Sequence, residues 1–158
     1  MRWRIYIETT IPSFYYNTRQ SDEMHMMAEF TRRWWDDEGK DHDLVTSDVV
    51  VFELERPNHP LKEDKLALVR SLRSLQITPE VAQLAEEYIA ALAMPARPGA
   101  DALHLALASV HLCDILLTWN CEHLANPNKV SQLSSITRLM GFSLPRIVTP
   151  ETLLQHQK

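Results

Sequence analysis

The sequence has few cysteines, no apolar run of membrane length and no excess of basic residues. Its two cysteines, Cys113 and Cys121, do not suggest a disulfide framework and are typical of a reduced compartment. No apolar run approaches the roughly 18 residues that a membrane span requires. Residues 1–10 lack the long apolar core and the small-residue cleavage site of a signal peptide, so we expect a cytoplasmic protein that does not contact the membrane.

The charge balance of the chain is acidic. The sequence has 16 Lys and Arg against 21 Asp and Glu, which gives a formal net charge of −5. A protein that coats nucleic acid without specificity would be basic, so this class is disfavoured. A nuclease with an acidic site and local basic patches is still compatible with this balance. The length of 158 residues and the apolar fraction of 45 % predict one globular domain over residues 1–158.

Short apolar runs alternate with segments of helical periodicity. We predict strands at residues 3–8, 44–46, 75–77, 115–118 and 146–149. We predict helices that begin near Thr10 and at residues 22–37, 48–55, 62–73, 79–92, 101–112, 128–140 and 150–156, with a turn at MPARPG (94–99). This order predicts an α/β fold in which helices cover both faces of a parallel sheet.

Four polar residues follow strands or lie early in helices of this pattern. Glu8 ends the run RIYIE, Glu53 lies in VVVFELE, Asp101 begins DALHLALASVHL, and Asn120 follows ILLT. Sites in open α/β sheets lie outside the carboxyl ends of the strands, so we expect the four side chains to converge there. Three gathered carboxylates repel one another unless a cation neutralises them. Mg²⁺, with Mn²⁺ as a substitute, suits such oxygen ligands.

Each of the four residues also has a structural interpretation. Glu8 can favour the first helix through its dipole, and Glu53 can be a solvated helix residue. Asp101 can cap its helix, and Asn120 can begin a helical turn through its side chain. The spacing alone leaves both interpretations open.

Four segments of the chain resemble the PIN-domain family, in the order that the family has. They are IYIETTIPSFY, LVTSDVVVFELE, GADALHLALASVHLCDILLTWNCEHLAN and LPRIVTPETL, and together they span nearly the whole chain. The resemblance implies a three-layer α/β/α sandwich with a central parallel sheet of about five strands. It also implies a metal-dependent ribonuclease site. Many small bacterial members resemble VapC-type toxins, which pair with an antitoxin protein and usually form homodimers.

The resemblance also assigns roles to particular residues. Glu8, Glu53 and Asp101 correspond to three metal-binding acids, with Glu8 in place of the usual Asp. Asn120 stands at the fourth acidic position and adds no charge, so we expect one well-populated ion. In this assignment Asn120 positions the attacking water or a phosphate oxygen.

Three neighbours of these residues are candidates for a supporting role. Thr10 and Thr118 can donate hydrogen bonds to the carboxylates, although a cap and a strand position are the alternatives. His104 lies one turn after Asp101, where it either bonds near the site or packs in the core. Asp114 precedes its strand and is expected at the opposite edge of the sheet.

Two aromatic segments have two interpretations each. Arg32, Arg33, Trp34 and Trp35 combine cations with stacking surface, as sites for single-stranded RNA do. Helical spacing instead favours Trp34 in the core and the two arginines in solvent. The aromatic residues at 14–16 can rim the cleft or form a partner interface.

Three other site chemistries are weighed against a nuclease. A zinc site among His104, His111, Cys113, Cys121 and His123 is disfavoured because their spacing fits no paired-knuckle pattern. A phosphate-ester hydrolase of another doubly wound family would need a nucleophilic Asp after the first strand. A catalytically weakened PIN-like module that binds RNA or a basic peptide without cleavage is the main alternative. The leading expectation is a Mg²⁺-dependent endoribonuclease that hydrolyses RNA and is the toxin of a type II toxin–antitoxin pair.

Overall fold

A parallel sheet organises the chain. The computed structural model describes residues 1–91, 100–124 and 126–155. Within these residues five strands form one sheet in the order β3-β2-β1-β4-β5, and every neighbouring pair is parallel. The strands are β1 (Arg4–Ile7), β2 (Asp43–Ser47), β3 (Arg73–Leu75), β4 (Ile115–Leu117) and β5 (Arg146–Val148). This sheet confirms the predicted α/β architecture.

Helices connect the strands and cover both faces. They are α1 (Thr10–Tyr15), α2 (Asp22–Arg33), α3 (Asp48–Glu55), α4 (Lys62–Arg70), α5 (Pro79–Ala90), α6 (Ala100–Val110), α7 (Pro127–Leu139) and α8 (Pro150–Gln155). A π-helical turn at Trp34–Glu38 and a 3₁₀ turn at Gly39–Asp41 extend α2. The predicted edge strand exists, but it lies two residues earlier than expected. The predicted turn at 94–99 lies outside the described residues.

The two faces of the sheet have separate apolar cores because successive strand side chains point in opposite directions. Ile5 and Ile7 of β1 pack with Ile11, Trp34 and Leu153 on one face. On the other face, Tyr6 packs in a larger cluster that includes Val45, Val50, Leu54, Leu84, Leu105 and Leu116. Trp34 is fully buried while Arg32 and Arg33 are exposed, which confirms the core interpretation of that segment.

Local signals fix several helix ends. The Thr78 hydroxyl accepts a hydrogen bond from the Val81 N–H, and Pro79 occupies the first turn of α5. Gly141 has a φ of +88° just after α7, a conformation that favours glycine and confirms the predicted end of this helix. No helix in the described part of the chain has the length and apolar character needed to cross a membrane.

Candidate active site

The carboxyl edge of the sheet brings the ends of β1, β2 and β4 together. Ile7 is paired with Leu117, and the Glu8 N–H donates to the Leu117 carbonyl oxygen at 3.3 Å. Glu8 and Thr118 therefore leave the sheet side by side. Because strand side chains alternate, Glu8 points to the same face as Tyr6, the face that α3 and α6 cover.

Glu8 is held by three donors at one of its oxygens. Glu8 is only 4 % exposed to solvent. Its Oε1 accepts from the Thr10 N–H at 3.0 Å, from the Thr10 hydroxyl, and from the Thr118 hydroxyl at 2.7 Å. Oε2 receives none of these three bonds, and it is the oxygen that remains for another ligand.

The backbone fixes the direction of both threonine hydroxyls. The Trp119 N–H donates to Thr10 Oγ1 at 2.8 Å, and the Asn120 N–H donates to Thr118 Oγ1 at 2.9 Å. Each hydroxyl oxygen accepts a hydrogen bond from a backbone N–H, and each hydroxyl donates its own hydrogen bond to Glu8. This arrangement favours an ionised Glu8, but burial acts more strongly and raises the pKa of the Glu8 carboxyl despite these bonds and the nearby His104.

Glu53 and His104 form the second part of the site. Glu53 Oε1 accepts from the Thr9 hydroxyl at 2.6 Å and lies 2.6 Å from His104 Nε2. Burial alone would raise the pKa of the Glu53 carboxyl, but the hydrogen bond and positive charge of His104 lower it overall. An ionised Glu53 accepts at this contact, so His104 Nε2 carries a proton.

His104 lies within electrostatic reach of all three carboxylates. This imidazole is fully buried, and burial alone would lower its pKa. The hydrogen bond that His104 donates to Glu53 and the negative charges of Glu8, Glu53 and Asp101 outweigh burial and raise the pKa of His104. All three acids expected from the sequence therefore lie within electrostatic reach of one side chain. His104 is both a buried residue and a hydrogen-bonding partner of the site.

A chain of hydrogen bonds between buried polar side chains continues from His104 into the sheet. His104 Nδ1 lies 2.7 Å from the Tyr6 hydroxyl, which lies 2.7 Å from Ser47 Oγ. The chain gives each of these buried polar groups a partner. Ser47 occupies the N-cap position of α3, but its hydroxyl bonds to Tyr6, and it makes no side-chain cap bond.

Asn120 uses both ends of its amide inside the protein. Its Oδ1 accepts from the His123 N–H at 3.1 Å, which is the helical-turn interpretation of this residue. Its Nδ2 donates to Asp101 Oδ1 at 3.2 Å. Asn120 therefore presents a donor to the carboxylate, where an acid would present another negative charge.

The carboxylates are not yet arranged around a common metal position. Among the described residues, no three His, Cys, Asp or Glu side chains are disposed to hold a metal ion. Each acid has its own partner: the threonines for Glu8, His104 for Glu53 and Asn120 for Asp101. The donor set of carboxylate oxygens still suits a hard divalent cation, and rotation of these side chains would be needed to bring the oxygens around it.

Some of the other candidate ligands lie outside this network. Cys113 is buried, which raises the pKa of its thiol to about 12, and Cys121 is exposed. His111 Nε2 bonds to the Gln76 carbonyl oxygen. Asp114 Oδ2 accepts from the Arg4 N–H at the start of β1, at the opposite edge of the sheet from Glu8.

Sequence reasoning missed Thr9, Tyr6 and Ser47 as parts of this network. Tyr6 stands two residues before Glu8, so strand periodicity places both on one face and gives a usable signal. Ser47 ends the neighbouring strand and is found by the same argument once the strand order is known. Thr9 has no such signal, because its contact with Glu53 depends on how α1 begins relative to α3.

The model of the PIN domain family matches residues 22–121. No curated protein sequence matches the chain.

Two solved structures have a similar fold. One is a chain from the crystal structure of VapBC2 from Rickettsia felis bound to a DNA fragment from their promoter, with 14% identity, a TM-score of 0.59, and coverage of 92% of this chain and 98% of that chain. The other is a chain of FitAcB from Neisseria gonorrhoeae, with 15% identity, a TM-score of 0.57, and coverage of 93% and 98%. At these identities the likeness concerns the fold alone.

Proposed function

Because the chain belongs to the PIN-domain family, whose members are generally nucleases, we propose that it is a Mg²⁺-dependent endoribonuclease that hydrolyses RNA phosphodiester bonds. The observation that carries the proposal is that Glu53 lies 2.6 Å from His104 and that Glu8 and Asp101 are within electrostatic reach of the same imidazole, at the carboxyl edge of the sheet. Ligand sites of open α/β sheets lie at this edge.

Each side chain of the site has a proposed task. Glu8, Glu53 and Asp101 would hold one Mg²⁺ ion, or Mn²⁺ in its place. When bound, the ion supplies Lewis-acid stabilisation to a phosphate group. Thr10 and Thr118 hold Glu8, and His104 holds Glu53, which would orient the attacking water. In-line attack by that water would leave a 5′-phosphate and a 3′-hydroxyl.

Asn120 would act through its amide N–H groups. One N–H donates to Asp101, and the same amide nitrogen can donate a second hydrogen bond to the attacking water or a phosphate oxygen. In this role Asn120 would not contact the metal, because its oxygen already accepts from the His123 N–H.

The biological setting is proposed from the two structural neighbours and the family. One of these neighbours is a chain of VapBC2, which was crystallised with a DNA fragment from its promoter. By analogy we assign this chain as the toxin of a type II pair, with a cognate antitoxin, a homodimeric state and a cytoplasmic location.

The catalytic assignment is tested with the substitution Asp101→Asn. Loss of this carboxylate should reduce Mg²⁺-dependent RNA cleavage by more than about 100-fold, because a charged ligand becomes neutral. Cleavage of a labelled RNA by purified wild-type and variant protein measures the effect. Asp64→Asn, an exposed change on α4, is the matched control and should cleave as the wild type does. Equal cleavage by Asp101→Asn and the wild type would exclude the assignment.

A binding module without cleavage is the second candidate. The observation that favours it is the hydrogen bond from the Asn120 amide to the Asp101 carboxylate, because this amide adds no charge to the site. Titration with Mn²⁺, followed by a turnover assay on the same sample, separates the two functions. Metal binding with no RNA cleavage would favour the binding module.

A further inference from the structure

A cavity beside the carboxylates has no role in the chemistry described above. Its volume is about 380 Å³, within the range of about 300–1,000 Å³ that is typical of small-ligand pockets. It lies where α1 and the segment after it approach the segment before α4, and its lining includes Thr10, Ser13, Phe14, Arg19, His59 and Lys65. Thr10 also holds Glu8, so the cavity and the carboxylate site share a side chain.

Lys65 brings a buried positive charge to this cavity. The residue is 9 % exposed, and no ion pair between described residues includes Lys65, His59 or Arg19. Lysine is rarely buried to this extent unless its charge is paired. An anion from outside the chain would supply the missing charge.

The neighbouring histidine does not satisfy the ammonium. His59 Nδ1 accepts from the Leu61 N–H at 3.1 Å, so the proton of the neutral ring lies on Nε2. That Nε2 lies 3.4 Å from Lys65 Nζ. Two donors therefore meet in the cavity. The Thr18 hydroxyl, 3.5 Å from His59 Nε2, can accept from the histidine, but no hydrogen bond between described residues gives the ammonium an acceptor.

The electrostatics of the group agree with this geometry. Burial and the charge of Arg19 lower the pKa of Lys65. Burial and the charges of Lys65 and Arg19 also lower the pKa of His59. The charges of Lys65 and Arg19 therefore repel each other and disfavour a further positive charge on His59, and a ligand of opposite charge would relieve this repulsion.

We propose that this cavity binds a backbone phosphate of the nucleic acid whose neighbouring linkage lies at the carboxylate site. A phosphate offers acceptor oxygens to the Lys65 ammonium, the Arg19 guanidinium and the His59 N–H. Phe14 adds an aromatic surface at the same cavity, of the kind on which a base of a single strand stacks. An acidic protein can bind a polyanion in this way, because the local cations hold the strand beside the carboxylates. The identity of the polymer rests on the proposed nuclease function.

The test is the binding of a short fluorescein-labelled single-stranded RNA in EDTA, measured by fluorescence anisotropy across a salt series. Lys65→Met keeps the apolar stem and removes the charge. It should weaken binding roughly tenfold or more, because a charge-assisted hydrogen bond is lost. It should also reduce the slope of log affinity against log salt by about 0.7, the contribution of one single-strand phosphate.

Lys62→Met is the matched control, since it makes the same change of charge on the same helix outside the cavity lining. It should bind RNA as the wild type does, and Lys65→Arg should retain most of the affinity. Lys65→Met should also keep or raise the Tm, because it removes an unpaired buried charge. Equal RNA binding by the Lys65→Met and Lys62→Met proteins would overturn the proposal, as would a wild type that binds no RNA or a marked fall in Tm for Lys65→Met.

Inorganic phosphate distinguishes a backbone phosphate from a small free anion. If phosphate stabilises the wild type but not Lys65→Met, while both bind RNA equally, the cavity takes free anions and the nucleic-acid proposal is wrong. The cleavage assay separates this inference from the nuclease function. If RNA binding depends on Lys65 but the wild type does not cleave RNA, the phosphate site is supported and the nuclease function is wrong. If the wild type cleaves RNA and Lys65→Met changes neither cleavage nor binding, the nuclease function is supported and the phosphate site is wrong.

Discussion

The residue that departs most from the expected acidic set is Asn120. The amide oxygen holds the following turn through His123, while the amide nitrogen donates to Asp101. One side chain thus replaces a repulsive contact between two carboxylates with a hydrogen bond. The replacement stabilises the metal-free site and reduces the negative charge that attracts a cation.

Asn120→Asp should reverse this balance. The new carboxylate keeps an oxygen for the His123 N–H but repels Asp101, so the metal-free variant should unfold at a lower temperature than the wild type. Mn²⁺ relieves the repulsion, and its affinity, measured by calorimetric titration, should increase roughly tenfold for a coupling near 1.4 kcal/mol. Asn126→Asp changes the cap of α7 away from the site and serves as the control. Unchanged Mn²⁺ affinity in Asn120→Asp would contradict the argument.

At the scale of elements, strand periodicity connects the site to the core. Tyr6 and Glu8 lie on one face of β1, and Ser47 ends the neighbouring β2. The chain from Ser47 through Tyr6 to His104 therefore fixes the position of α6 relative to the sheet. In this way strand pairing determines where His104 meets Glu53.

Tyr6→Phe tests that connection. The change leaves His104 Nδ1 and Ser47 Oγ without the hydroxyl that bonds both, which should cost about 1–3 kcal/mol of unfolding free energy. Tyr88→Phe is a matched control, because its partner Thr137 keeps a hydrogen bond to the Leu133 carbonyl oxygen. Urea unfolding of both variants measures the difference. A cost for Tyr6→Phe no larger than that for Tyr88→Phe would show that the buried chain is not stabilising.

The elements and the edge that bears the site were predictable from sequence because they depend on local periodicity. Glu8 was placed by the end of an apolar run, and Asp101 by the beginning of a buried helix. The direction of the Asn120 amide was not predictable, since it depends on which backbone N–H lies nearby after folding. The cavity at Lys65 was also missed, because it needs the approach of α1 to α4, and the lysine alone suggests an exposed helix residue.

The whole molecule concentrates opposite charges in two adjoining regions of an acidic chain. The carboxylates lie within electrostatic reach of His104, while Lys65, His59 and Arg19 lie at the neighbouring cavity. Thr10 belongs to both regions. Binding of a cation at one and a phosphate at the other would satisfy both sets of charges, so the free protein is expected to be less stable than the protein with its ligands.

The stability of the metal-free protein should therefore depend on pH in a defined direction. Because the pKa of Glu8 is raised in the folded protein, its contribution to the free energy of unfolding is lost as pH rises from about 4.5. Because the pKa of His104 is also raised, its contribution to the free energy of unfolding is lost as pH rises from about 6.5. The lowered pKa of Glu53 acts in the opposite sense below about 4.5, and the lowered pKa of His59 does so below about 6.5, so the decline is clearest above pH 6.5. We expect the free energy of unfolding in EDTA to be greatest under mildly acidic conditions and to fall toward neutral pH.

Mg²⁺ should flatten this dependence, because a cation at the carboxylates favours the ionised form of Glu8. Each proton that differs between the folded and unfolded states contributes a slope of about 1.4 kcal/mol per pH unit. Urea unfolding from pH 5 to pH 8, with EDTA or with Mg²⁺, measures both slopes. His104→Gln should reduce the decline above pH 6.5 in EDTA, whereas His25→Gln, an exposed change on α2, should leave it unchanged. Stability in EDTA that rises from pH 5 to pH 8 would contradict the charge arrangement on which the proposed metal site depends.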